Sequence, residues 1–175
     1  MYQEQGDLIL TFPGAYHGGF SPNYNICEAV NMASAECIEH AKKHIQMNSR
    51  EGFPRKSCFS LEWMILESTR NIERLHFSQA GRSKLLAHYK EMVDQEIDRR
   101  KSVRYRIDKE VLFQGKKIKF FELQCSICRY YCYLSCIGCD SCQTITCLTC
   151  SHQCGCSDGK KILLVRHTEN ELVNY

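Results

Sequence analysis

Ten of the thirteen cysteines in this 175-residue chain fall between Cys125 and Cys156. Their spacing is regular: Cys125-x2-Cys128, Cys139-x2-Cys142, Cys147-x2-Cys150 and Cys154-x-Cys156, with Cys132 and Cys136 left over and His152 inside the last interval. A Cys-x2-Cys turn presents two thiolates to one cation, and zinc takes four such soft ligands in a tetrahedron. Eight thiolates therefore suit two zinc ions. Consecutive pairing would join neighbouring turns; alternate pairing would cross-brace the module and put Cys125, Cys128, Cys147 and Cys150 on one ion, and this second arrangement is favoured. Sites of four sulfurs leave no open position, so the zinc is structural rather than catalytic. About thirty residues cannot bury enough apolar surface to fold alone, and metal replaces the missing core. Cys132 and Cys136 read as small buried hydrophobes.

The same cysteine density would mean disulfides in a secreted protein. The N-terminal "MYQEQGDLIL" has neither a basic flank nor an apolar signal core, so an intracellular chain and metal binding are expected. No run approaches the length of a membrane span, and no membrane partner is expected. Net charge is +3, but residues 98–119 hold nine Lys/Arg against three Asp/Glu. Attraction to an anionic partner, nucleic acid included, is expected to centre on that segment, although such a run also serves as a solvated helix end.

The elements that must position these residues follow from periodicity. "GDLILTF" and "AYHGGF", separated by Pro13-Gly14, predict two strands joined by a tight turn. A helix is predicted from about Ser34, with Ala35, Ile38, Ala41, Lys42 and Ile45 on one face. Residues 48–57 read as a loop, a second helix is capped by Ser60, and Leu85, Leu86, Tyr89, Met92, Val93 and Ile97 define a third from about Ser83. A strand pair around Gly115 leads into the cysteines, and one strand with a polar tail follows them. The fold class is α+β: a β-hairpin, a helical middle and a small two-zinc finger.

His17 sits just after the predicted turn, among Tyr16, Gly18, Gly19 and Phe20. Alone, such a histidine is more often a hydrogen-bonded core residue than a ligand. The word around it changes the reading. "GDLILTFPGAYHGGFSPNYNICEAVNMA" resembles the end of the JmjC domain of the Jumonji histone demethylases, "CFSLEWMILE" resembles the region that follows it in the Jumonji/ARID lysine demethylases, and "QCSICRYYCYLSCIGCDSCQTITCLTC" is similar to their C5HC2 zinc finger. The resemblance is thus to the C-terminal part of such an enzyme. It implies residues 1–35 as the incomplete end of a cupin-like, double-stranded β-helix JmjC domain, 36–122 as a helical linker, 123–160 as the finger and 161–175 as a closing strand and tail.

By that resemblance His17 matches the distal histidine of a 2-His-1-carboxylate iron site, Asn31 a residue that orients the methylated lysine's ammonium, and Ala29 a small residue of the same pocket. The implied chemistry is oxidation of an N-methyl group with release of formaldehyde, coupled to decarboxylation of 2-oxoglutarate. Implied partners are a histone tail or chromatin, and the implied location is the nucleus. Three departures qualify this. The H-x-D/E half of the triad and the 2-oxoglutarate lysine do not precede His17, and the sole H-x-E, His167 to Glu169, would require a permuted order. Fe(II) and 2-oxoglutarate are therefore expected only in a complete JmjC domain, and this chain alone is expected to be inactive. Pro22-Asn23 stands where the family has a residue followed by glycine. The family's zinc-ligating histidine falls on Cys150; either Cys150 replaces it or His152 takes the role, and Cys150 is favoured because it completes a Cys-x2-Cys turn. A non-catalytic zinc module docking chromatin is the competing reading, and a RING-type ubiquitin ligase fits the later spacing less well.

Overall fold

The computed structural model describes residues 2–50, 59–113, 123–156 and 158–174, without the side chains of 48–50. Helices and a small sheet alternate along the chain: α1 (Cys37–Arg50), α2 (Leu61–Arg70), α3 (Gln79–Val103), β1 (Lys109–Leu112), β2 (Ser135–Cys139), β3 (Ile145–Thr146), β4 (Lys161–Val165) and α4 (Glu169–Val173). This is the α+β class expected.

Local signals explain the helix starts. Ser60 Oγ accepts from the Trp63 amide at 3.3 Å, which caps α2 as its sequence suggests. Ser78 caps α3 through the Gly81 amide at 3.1 Å, so α3 begins a turn before the periodic residues that reveal it. The polar tail after the last strand contains a short helix, α4, because Thr168 and Glu171 make a reciprocal capping box. The apolar faces of the helices then meet. Ile38 of α1, Ile65 and Leu66 of α2, and Leu85, Tyr89, Met92 and Val93 of α3 form one core, which continues into Tyr133, Leu134 and Leu172.

The sheet order is β1-β4-β2-β3. β4 lies parallel to β1 and antiparallel to β2, and β3 pairs antiparallel with the far side of β2. Alternation of side chains gives the sheet two buried faces. Ile137, Leu163 and Val165 pack with Val103 at the end of α3 and with Leu148. On the other face Cys136 and Leu164 pack with Leu123, Cys125 and Cys132. The strand pair predicted around Gly115 lies largely outside the described residues; β1 precedes it and pairs with β4.

The predicted N-terminal hairpin is not present. Pro13-Gly14 does turn the chain, with the Ala15 amide donating to the Phe12 carbonyl at 3.1 Å and Gly14 at φ +74°, the type-II arrangement that needs glycine. The flanking segments, however, form no strand among the described residues, and Phe12, Tyr16, Phe20 and Tyr24 are all more than four-fifths exposed. A two-stranded ribbon with nothing against its apolar face is marginal in water, and no described element covers this one.

Candidate metal centres

The cysteine module is built by its turns. In the first, the Arg129 amide reaches back to the Cys125 carbonyl at 2.9 Å and Arg129 sits at φ +61°; after the second, Gln143 sits at φ +53°. Left-handed backbone costs a non-glycine residue free energy and persists where surrounding contacts impose it. In the third turn the Cys150 amide donates to the Cys147 carbonyl at 3.1 Å and lies 3.4 Å from the Cys147 sulfur.

These turns assemble two groups of four. Ligand atoms of Cys125, Cys128, Cys147 and Cys150 all lie within 4.8 Å of one another, and so do those of Cys139, Cys142, Cys154 and Cys156. The groups interleave along the chain, so alternate knuckles come together rather than consecutive ones. The cysteines are not disulfide-bonded. Cys128 and Cys147 sulfurs are 3.9 Å apart, and those of Cys142 and Cys154 are 3.8 Å apart. A tetrahedron with Zn–S bonds of about 2.3 Å has edges of about 3.8 Å, so the donor set and its spacing fit zinc. Bound there, zinc would supply cross-links in place of a core.

The sulfurs are already poised electrostatically. Cys125 is held far below the usual thiol range by hydrogen bonds first from Cys128 and then from Cys147, and Cys147 is pushed up as their donor. In the second group Cys139 is lowered to about 6, first by the Cys142 amide and then by Lys161. The Lys161 ammonium donates to Cys139 at 3.1 Å and to Cys154 at 2.8 Å. Gly159 adds a second contact: a Cβ there would come within 2.8 Å of the Cys139 sulfur and 2.7 Å of Ser141 Oγ. Neither residue belongs to the cysteine pattern, and the position of both depends on β4 entering beside β2.

Cys150, not His152, stands in the first quartet; the His152 Nδ1 lies 3.0 Å from the Thr149 carbonyl and its side chain is exposed. Cys132 and Cys136 are buried at 4% and 0% exposure outside both quartets, and burial pushes both thiols up, Cys136 to about 12. They behave as core residues.

A third set, Glu39, His88 and Glu91, is also close enough for one ion. Its centre is taken by the Lys42 ammonium, 2.6 Å from Glu91, 3.1 Å from His88 and 3.4 Å from Glu39. A resident cation of the chain itself makes this an α1–α3 tie.

His17 stands elsewhere. It is exposed, its Nδ1 lies 3.0 Å from the Ala15 carbonyl, and among the described residues it joins no group of three or more potential ligands. Three protein ligands on one face are needed for this kind of iron centre, and the described residues do not fit one. Ala29 is exposed on the same segment, and Asn31 borders a cleft of about 250 Å³ with Ile38, Phe59 and Leu85. His167 and Glu169 do not complete the site; the Glu169 carboxylate faces Arg104 at 3.9 Å.

Comparison with known proteins agrees with the two cysteine quartets and extends beyond them. A C5HC2 zinc finger model matches residues 125–175, and a model described as JmjC domain, hydroxylase, matches residues 1–32. Lysine-specific demethylase 5D of Homo sapiens and of Pan troglodytes are each 31% identical to the chain over 175 residues, covering 95% of it. Lysine-specific demethylase JMJ703 of Oryza sativa subsp. japonica is 27% identical over 187 residues, covering 97%. The chain is a homologue of lysine-specific demethylases. It spans only 11% of the length of the first two relatives and 15% of the third. Within it the C5HC2 finger is the part whose cysteines are assembled, while the JmjC segment contributes exposed residues.

Proposed function

We propose that these residues form part of a JmjC-type histone lysine demethylase, the end of its JmjC domain and the zinc finger after it, in which the finger is structural and the catalytic chemistry belongs to a complete JmjC domain. The observation that supports this most is the pairing of the JmjC match at 1–32 with homology to lysine-specific demethylases over 95% of the chain. On this reading His17 is one iron ligand, and Asn31 orients the substrate ammonium beside Ala29. Cys125, Cys128, Cys147 and Cys150 hold one zinc, and Cys139, Cys142, Cys154 and Cys156 the other. The substrate is a methylated lysine of a histone tail, and the protein works on chromatin in the nucleus.

The 175 residues alone are inactive on this reading, because the sequence before His17 contains no other histidine to share an iron. The exposed Phe12, Tyr16 and Phe20 then mark the face that the rest of an oxygenase barrel covers. The test uses the longer protein. His17→Ala should abolish formaldehyde release from a methylated histone peptide while the zinc content stays at that of the unmutated protein. Undiminished formaldehyde release by that variant contradicts the assignment of His17.

A further inference from the structure

An open cleft of about 410 Å³ lies where the end of α3 meets the third cysteine knuckle. Arg99 and Arg106 border it on the helical side, and Thr149 and His152 on the knuckle side. Val103 and Leu148, both 6% exposed, pack together and join the two sides. The cleft exists because the Cys147–Cys150 turn is docked against the helix.

No carboxylate lines it. The basic run around it divides into two classes that sequence alone does not separate. Arg100 is 1% exposed and buried in an ion pair with Glu96 at 2.8 Å, and Arg104 pairs with Glu110 at 3.0 Å. Arg99, Lys101 and Arg106 are exposed and face no carboxylate within ion-pair distance among the described residues. The Ser102 and Ser151 hydroxyls at the rim donate to the Arg99 and Leu148 carbonyls, and Arg99 Nη2 donates to the Gln95 side chain at 3.2 Å, a neutral partner that leaves the guanidinium charge uncompensated. Tyr105 is 75% exposed, with the Arg106 guanidinium 4.9 Å above its ring.

We propose that this cleft binds the phosphodiester backbone of a nucleic acid. Guanidinium groups and an exposed tyrosine are among those that contact phosphate and sugar, and several cations without a carboxylate partner suit a chain of regularly spaced anions. An exposed ring beside a guanidinium provides a stacking platform for an unpaired base, which an acidic peptide would not use. The inference does not rest on the demethylase reading: a full-length protein without demethylase activity leaves it standing.

The test is fluorescence anisotropy of the 175-residue zinc-loaded chain with a labelled 20-nucleotide single strand and the corresponding duplex, over a series of salt concentrations. Arg99→Gln/Arg106→Gln should weaken binding at least tenfold at low salt and reduce the slope of log K against log salt by about 1.4 for the single strand and about 1.8 for the duplex, as loss of two phosphate contacts requires. Lys90→Gln, a surface change elsewhere on α3, should change neither. Tyr105→Ala should weaken the single strand more than the duplex. Both arginines are exposed, so retention of two zinc ions confirms that the double variant is folded. Wild-type affinity and slope in the double variant overturn the proposal. So does tighter binding of polyglutamate or of phosphatidylserine vesicles than of either oligonucleotide.

Discussion

At the scale of single residues, Lys161 supplies what four thiolates and one zinc ion lack. Such a centre carries net charge −2, and the ammonium donating to Cys139 and Cys154 at 3.1 and 2.8 Å offsets part of it. Partners of this kind outside the ligand set typically change metal affinity by about 10- to 100-fold. Lys161→Gln should therefore speed chelator-driven release of one zinc by about that factor and leave the other ion unaffected; equal release from both sites would contradict the role. Gly159→Ala should act on the same centre by sterics, because its methyl would press on the Cys139 sulfur. Zinc titration of that variant should show one site of full affinity and one weakened. The cysteines themselves are legible from spacing, since each turn is a local motif. Lys161 and Gly159 are not, because they reach the cluster only through the pairing of β4 with β2, a long-range contact with no signal in the intervening sequence.

At the scale of elements, α3 is fastened to the finger by a buried polar network. Arg100 donates to Glu96, to the His167 carbonyl at 2.8 Å and to the Leu134 carbonyl at 3.3 Å, while Ser135 donates to Glu96. Removing one member of a buried ion pair strands the other and costs about 3–5 kcal/mol. Arg100→Met should lower the unfolding free energy by about that amount in urea titration, with Arg99→Met within about 0.5 kcal/mol of wild type. A small effect of Arg100→Met would show that the network is not buried as described. In the sequence Arg100 looks like one of several surface cations in "DRRK"; only its place on the inner face of α3 distinguishes it. The helices were legible because their apolar spacing is local, and α4 carries a readable Thr-x-x-Glu box. The hairpin predicted around His17 does not form among the described residues, for the opposite reason. Alternation and a Pro-Gly turn describe a strand's own preference, whereas a strand forms only against a partner, and none of the described elements offers one.

At the scale of the whole molecule, two cysteine quartets supplement the small apolar clusters on the two sheet faces of the C-terminal part. The first quartet sits against one sheet face with Cys132, Cys136 and Leu164, and the other face packs on α3. Stripping zinc should therefore loosen the helical unit as well as the finger: with a chelator, the thermal transition should shift downward for α3 and finger together, followed by circular dichroism at 222 nm. Retention of the full transition after complete zinc loss would contradict this dependence.

Cross-bracing makes the sharpest demand. Native mass spectrometry should find two zinc ions and no stoichiometric iron in the chain, and one zinc in Cys125→Ser. Cys125→Ser/Cys147→Ser should still hold one, because both cysteines serve the same ion, whereas Cys125→Ser/Cys139→Ser should hold none. The reverse pattern, no zinc in the first double variant and one in the second, would show that consecutive knuckles pair and that the two interleaved centres do not exist.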